Sequence, residues 1–330
     1  MKKIVLALLP LFVLSGCERS IPDLSVNSGG RIVELWCGLP SVTAGVSSRA
    51  ADLTGQVGNT NAMNLYFVRR DKGGMTTHGD YPGYESNSVV LSATRDASSG
   101  SASAKVVFAN PQYYAMYAPY LTSTFKYNPS KLVGWFPKGD YNNGVVSIPM
   151  DGNTDILLSN EVEGSYDKPF NEANKLTFSH VCTLNEIKVK AVDAGAPDSW
   201  GAVTRVALDY CGGRVCEITL PNQVWFVASG STWDIPLDLI GGPTASSPVT
   251  LVNGVAKSCG KAMVYPESVR DLIVTTEKGG ERRISVDNGT EGFLAGKSYV
   301  ITLEFKSVTI EPSVTISDWT PSTNNPSVDL

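Results

Sequence analysis

The sequence predicts an all-β protein built of two tandem antiparallel β-sandwich domains. Three observations carry this: short segments alternate apolar and polar residues along the chain, clusters of Gly, Asn, Asp and Pro separate them, and no long run shows the 3.6-residue helical period. With 42% hydrophobic residues among 330, the chain has enough apolar material to bury its cores.

Residues 1–16 read as an export signal. Lys2 and Lys3 supply positive charge, and Ile4 to Leu14, broken by Pro10, is apolar but too short to cross a hydrocarbon core of ~30 Å as a helix. The signal runs into Leu14-Ser15-Gly16-Cys17, which resembles the bacterial lipobox, where small residues precede a cysteine whose sulfur takes a diacylglycerol. Cys17 is then the lipidated first residue of the mature chain, and acyl chains contribute about 0.8 kcal/mol per buried CH₂ to membrane anchoring. Glu18 follows, so the aspartate of an inner-membrane retention signal is absent. Residues 17–30, rich in Ser, Gly, Asn and Pro, read as a tether.

The first strand is Ile32-Val33-Glu34-Leu35-Trp36. Asn64 to Val68, Val89 to Ala93, Lys105 to Ala109, Val145 to Ile148 and Ile156 to Ser159 continue the series. Gln112 to Tyr120 is the best helical stretch, and it is short and meets Pro119. Pro169, Asn171 and Asn174, within the segment Gly164 to Lys175, mark a boundary between an N-terminal domain at 31–170 and a C-terminal domain at 171–330. Beyond it, Ile187, Val189 and Ala191 alternate with Glu186, Lys188 and Lys190. Val203 to Leu208, Val215 to Leu220, Val224 to Ala228, Val249 to Val252, Leu272 to Thr275 and Arg283 to Val286 follow. Near the end, Tyr299, Ile301, Leu303 and Phe305 form one apolar face, and Val308, Ile310, Pro312, Val314 and Ile316 form a second series out of phase with it. A turn or bulge must separate the two.

Composition and motifs exclude several functions. Charged residues are 18%, the net charge is −5 and the pI is near 5.2, which gives no basic field for a nucleic acid. His78 and His180 are the two histidines, far apart in sequence, so histidine catalysis and multi-histidine metal sites lack material. Asp151, Asn153 and Asp155 have the oxygen spacing of a calcium loop, but Val162 stands where an EF-hand needs glutamate, so a turn is expected. No nucleophile elbow, phosphate loop or dinucleotide fingerprint occurs, so no enzyme, cofactor or metal is expected. Cys211 and Cys216 could close a disulfide across Gly212-Gly213, while Cys37 and Cys182 read as buried small hydrophobes.

Several segments carry a family resemblance. Leu132-Val133-Gly134-Trp135-Phe136-Pro137, Met150-Asp151-Gly152-Asn153-Thr154-Asp155-Ile156-Leu157 and Leu176-Thr177-Phe178-Ser179-His180 occur in order, followed by Gly296-Lys297-Ser298-Tyr299 and Ile316-Ser317-Asp318-Trp319. Together with the lipobox, these resemble the fimbrillins of the Bacteroidales, lipoprotein-derived subunits of type V pili. The resemblance implies two transthyretin-like sandwiches, anchoring in the outer membrane at the cell surface, and assembly into a fimbrium that supports adhesion. It further implies that a protease cutting after an arginine removes the first strand and that a strand from a neighbouring subunit fills the vacated groove. Arg49-Ala50, after the Ser41 to Ser48 loop, is the cleavage site so implied, and Ile32 to Trp36 the removable strand. Val308, Ile310, Val314 and Ile316 are either the donor strand or an ordinary last strand of the second domain. The implied partners are other pilin subunits, the arginine-specific protease, the membrane through the lipid, and a ligand on a host or bacterial surface. The alternative is a surface lipoprotein that binds glycans or host proteins without polymerising, using Tyr81, Tyr84, Tyr113, Tyr114, Tyr117 and Tyr120 as stacking platforms.

Overall fold

The computed structural model describes residues 31–38, 63–72, 81–86, 89–95, 103–114, 116–117, 126–127, 129–209, 215–227, 236–267 and 269–318. Cys17, Arg49, Ala50, His78, Cys211 and Trp319 lie outside the described residues. In chain order the first strands are β1 (Leu35–Gly38), β2 (Met63–Asp71), β3 (Leu91–Arg95), β4 (Ser103–Phe108), β5 (Met116–Tyr117), β6 (Lys126–Tyr127), β7 (Ser130–Phe136), β8 (Asp140–Asn142), β9 (Val145–Pro149), β10 (Leu157–Ser159) and β11 (Val162–Gly164). Then come β12 (Leu176–His180), β13 (Thr183–Ala191), helix α1 (Ala196–Trp200), β14 (Val203–Leu208), β15 (Val215–Thr219), β16 (Gln223–Val227) and β17 (Leu237–Asp238). The last are β18 (Lys257–Val264), β19 (Val269–Thr276), β20 (Gly280–Asp287), β21 (Lys297–Phe305) and β22 (Ile310–Asp318).

The all-β expectation holds, but the N-terminal strands do not form an open two-sheet sandwich. They run β10-β12-β1-β4-β3-β2-β7, and β10 pairs with β7 as well, so seven strands close on themselves in a barrel-like ring. β11 continues along the edge of β7 beyond β10, pairing Val162 with Leu132. Closure turns on Leu157 and Leu158 of β10, which pair on both edges; alternation within a strand says nothing of that. Inside lie Val33, Leu35, Cys37, Leu65, Phe67, Val106, Leu132, Leu176 and Phe178. Gly134 of β7 makes room for them: a Cβ there would meet Phe67 Cε1 at 2.5 Å. Phe67 and Phe178 instead meet edge to face with centroids 6.5 Å apart.

Two four-stranded sheets, β18-β13-β21-β22 and β17-β14-β19-β20, share a second core. β13 and β21 run parallel from Leu184↔Ser298 to Ala191↔Phe305, and their inward Ile187, Val189, Tyr299, Ile301 and Leu303 pack with Val206, Leu208, Leu272 and Val274 of the other sheet. A further sheet, β16-β15-β9-β8, joins strands from both halves of the sequence, since β9 pairs with β15. Its Val146, Ile148, Cys216 and Ile218 form a third core with Val68, Val133 and Trp135, whose strands turn Phe67 and Leu132 to the interior of the closed sheet. Residue 171 therefore falls between β11 and β12, while β12 completes the closed sheet and β15 reaches back to β9.

The stretch from Gln112 is extended: Tyr113 bridges to Ile32 and Met116–Tyr117 is a strand, so the helix expected there is absent over its described residues. The one α-helix among the described residues, α1, has only five and carries Pro197 in its first turn. The turn at residues 151–155 is as expected. Asp151 Oδ1 accepts the backbone N–H groups of Asn153 and Thr154 at 2.8 and 2.9 Å, which occupies the oxygen a calcium loop would offer.

Candidate functional site

β1 is a central strand, with a neighbour on each side. It pairs antiparallel with β4 in the register Leu35↔Val106, Trp36↔Lys105, Cys37↔Ala104 and Gly38↔Ser103, and parallel with β12 at Cys37↔Leu176 and Gly38↔Thr177. The pairing begins earlier in the chain, where Val33 N–H donates to the Gln112 carbonyl at 2.7 Å and Tyr114 N–H to that of Arg31 at 3.2 Å. The expected strand Ile32 to Trp36 overlaps β1 at Leu35 and Trp36: β1 begins at Leu35 and runs to Gly38, Ile32 forms an isolated bridge to Tyr113, and the inward side chains are Val33, Leu35 and Cys37. Ile32 and Glu34 face outward, and Glu34 pairs with Lys105 of β4. Taking β1 out would open the ring between β4 and β12 along a slot one strand wide, with places for three side chains at every second position.

One charged group lies at the floor of that slot. Arg95, the last residue of β3, is in register with Val106 of β4 and so lies in one row with Leu35, and it is fully buried. Burial pushes the Cys37 thiol up to about 11, and the adjacent Arg95 guanidinium, which also hydrogen-bonds the sulfur, limits the rise. Sequence reasoning missed Arg95. The available signal was its phase: it falls two residues after Ala93, on the apolar face of the Val89 to Ala93 run.

The C-terminal series occupies β22, at the edge of its sheet. It forms a hairpin with β21, from Phe305↔Ile310 to Lys297↔Asp318, closed by a turn in which Lys306 N–H donates to the Thr309 carbonyl at 2.8 Å. This turn is the expected phase break. Ile310 and Val314 pack against the second core, whereas Val308 is 84% and Ile316 49% exposed.

The sequence profile of the fimbrillin-like family matches residues 85–319. The chain belongs to the fimbrillin-like family. A candidate cell adhesion protein of Bacteroides uniformis has a similar structure, with a TM-score of 0.50 at 15% identity over 88% of this chain and 98% of that one. A second, from Bacteroides ovatus, gives 0.51 at 13% identity over 89% and 99%. At these identities the likeness speaks for the fold. No curated protein matches the chain in sequence.

Of the tyrosines that could serve this fimbrillin-like chain as stacking platforms, Tyr84 and Tyr114 are buried in internal contacts, whereas Tyr113 is 47% exposed. Tyr84 donates to Glu161 at 2.5 Å and lies under Arg70, whose guanidinium is 4.2 Å from its ring centroid, and Tyr114 accepts the Phe170 N–H at 2.9 Å. His180 is buried, with Nδ1 2.9 Å from Asp155 Oδ1. Cys37, Cys182, Cys216 and Cys259 are buried, and Cys211, the expected partner of Cys216, lies outside the described residues. Among the described residues, no group of three or more His, Cys, Asp or Glu could hold a metal ion, and no helix is long and apolar enough to cross a membrane.

Proposed function

We propose that this fimbrillin-like chain is a subunit of a cell-surface type V pilus, assembled by exchange of its first strand. In this reading residues 1–16 direct export, Cys17 carries the lipid that holds the precursor in the outer membrane, and an arginine-specific protease cuts between Arg49 and Ala50. The observation that carries the reading is the position of β1. It is the N-terminal strand of the described chain, it is short, and it plugs a ring that is otherwise complete. The cut falls between β1 and β2, so it frees β1 without breaking any other strand of the ring.

Loss of β1 strips the ladder partners from β4 and β12 and exposes the apolar walls around Val33, Leu35 and Cys37. Backbone groups left buried without a partner cost about 1–3 kcal/mol each, and apolar area left in water about 25 cal/mol per Å². An alternating strand from another subunit restores both, which gives polymerisation its driving force. The internal employment of Tyr84 and Tyr114 gives a glycan platform no comparable support. The test is Arg49→Ala. The variant should stay full-length and monomeric while the unaltered chain forms detergent-resistant polymers; polymers of the variant would show that cutting at Arg49 is not required.

A further inference from the structure

If β1 leaves and a second copy of this chain donates its C-terminal strand, the order of residues in that strand restricts how it can enter. The slot takes three inward side chains, in the places of Val33, Leu35 and Cys37; β4 pairs along it from Leu35, β12 from Cys37, and Gln112 bonds the backbone at Val33. The donor series in one phase is Val308, Ile310, Pro312, Val314, Ile316 and Asp318. Every consecutive triple that starts before Val314 puts Pro312 inside the slot. Proline has no N–H to give, so it does not suit the places of Leu35 and Cys37 in the ladders with β4 and β12, nor that of Val33, whose N–H donates to the Gln112 carbonyl at 2.7 Å. The triple Val314, Ile316, Asp318 avoids it. That triple also leaves Thr315 and Ser317 on the outer face, where Glu34 is exposed and Trp36 half-buried in the uncut chain.

The direction of entry follows from charge. Entering as β1 runs, antiparallel to β4, the triple puts a carboxylate where the Cys37 sulfur now meets the Arg95 guanidinium; entering in reverse, it puts that carboxylate among the apolar neighbours of Val33. We infer that the donor strand enters in the direction of β1, with Val314, Ile316 and Asp318 replacing Val33, Leu35 and Cys37, and that the Arg95–Asp318 ion pair fixes this register. This inference rests on the strand-exchange reading and adds to it the identity of the partner, a second copy of the chain, and the residue that locks it.

The register is open to a direct covalent test. Trp36 faces Lys105 across the β1–β4 ladder, and opposed Cα atoms in such a ladder stand about 4.5–5.5 Å apart, within reach of a disulfide. In the inferred register Ser317 takes the place of Trp36, so a chain carrying Lys105→Cys and Ser317→Cys, which keeps Arg95 and Asp318, should give a ladder of disulfide-linked oligomers on a non-reducing gel once it has assembled with its own processing and been mildly oxidised. Lys105→Cys with Thr315→Cys should not. A ladder from the Thr315 pair, which means a shifted or reversed strand, or none from the Ser317 pair, overturns the inference. Asp318→Asn needs no change at the buried arginine. It should leave the uncut monomer folded and make polymers that dissociate at least tenfold faster, and an unchanged rate would remove the role assigned to Arg95. Failure of the unaltered, processed chain to polymerise would refute the strand-exchange reading itself and the inference with it.

Discussion

Leu35→Ala separates the two lives of the first strand. Leu35 is 1% exposed, opposite Val106, and its side chain fills the middle of the slot. Truncation removes three carbon groups, a transfer loss of roughly 2.4 kcal/mol at about 0.8 kcal/mol per CH₂. The rigid ring around it adds a cavity cost, for a total of about 2–5 kcal/mol. Urea unfolding of the Arg49→Ala chain, with and without Leu35→Ala, measures this as a fall in midpoint at constant slope. Glu34→Ala, on the exposed face of the same strand, is the control and should cost under about 0.5 kcal/mol. The processed polymer no longer contains residue 35, so its resistance to denaturant should be the same with either residue. A loss below about 1 kcal/mol in the uncut chain would refute the packing argument, and an equal weakening of the polymer would show that β1 stays in place.

Gly134→Ala should destabilise the protein by about 1–3 kcal/mol, read as a lower melting temperature, because its Cβ meets Phe67 in a packed interior. At pH 8 the native chain should resist alkylation at Cys182, Cys216 and Cys259 and react only when denatured, since burial pushes the last two thiols up to about 12 and the first well above its ordinary value. Burial alone would raise the Glu161 carboxyl, but hydrogen bonds from Lys131, Tyr84 and Arg70 outweigh it and hold the group below its ordinary value of 4.5. The folded state then favours the ionised form, so the stability it contributes is present above about pH 4.5 and is lost as pH falls through the lower folded value; Glu161→Gln should flatten that part of an acid-unfolding curve.

Much of the fold was legible because it is local. The alternation of Tyr299, Ile301, Leu303 and Phe305 marks β21 within two residues at its start, and the phase break after Phe305 marks the turn into β22. What escaped depends on distant partners. Nothing in Leu157-Leu158-Ser159 says that it closes a ring by bonding β12 and β7 at once, nor in Val145–Pro149 that it will lie beside β15 from the other half of the chain. Helix α1 is too short to show a period, and Gln112 to Tyr114, at the start of a stretch that looks helical in sequence, is held extended by Arg31, Ile32 and Val33. The candidate site was half legible. Alternation located the first strand, whereas the burial of Arg95 beneath it follows from the pairing of β3 with β4 and has only a weak trace in sequence.

The first residue of the assembled, surface-exposed protein decides the matter most directly. Intact mass and amino-terminal sequencing of the polymer should show a chain that begins at Ala50 and lacks β1, together with a precursor pool that begins at a lipidated Cys17. Polymers whose subunits all begin at Cys17 and retain residues 31–38 would contradict strand exchange at this site.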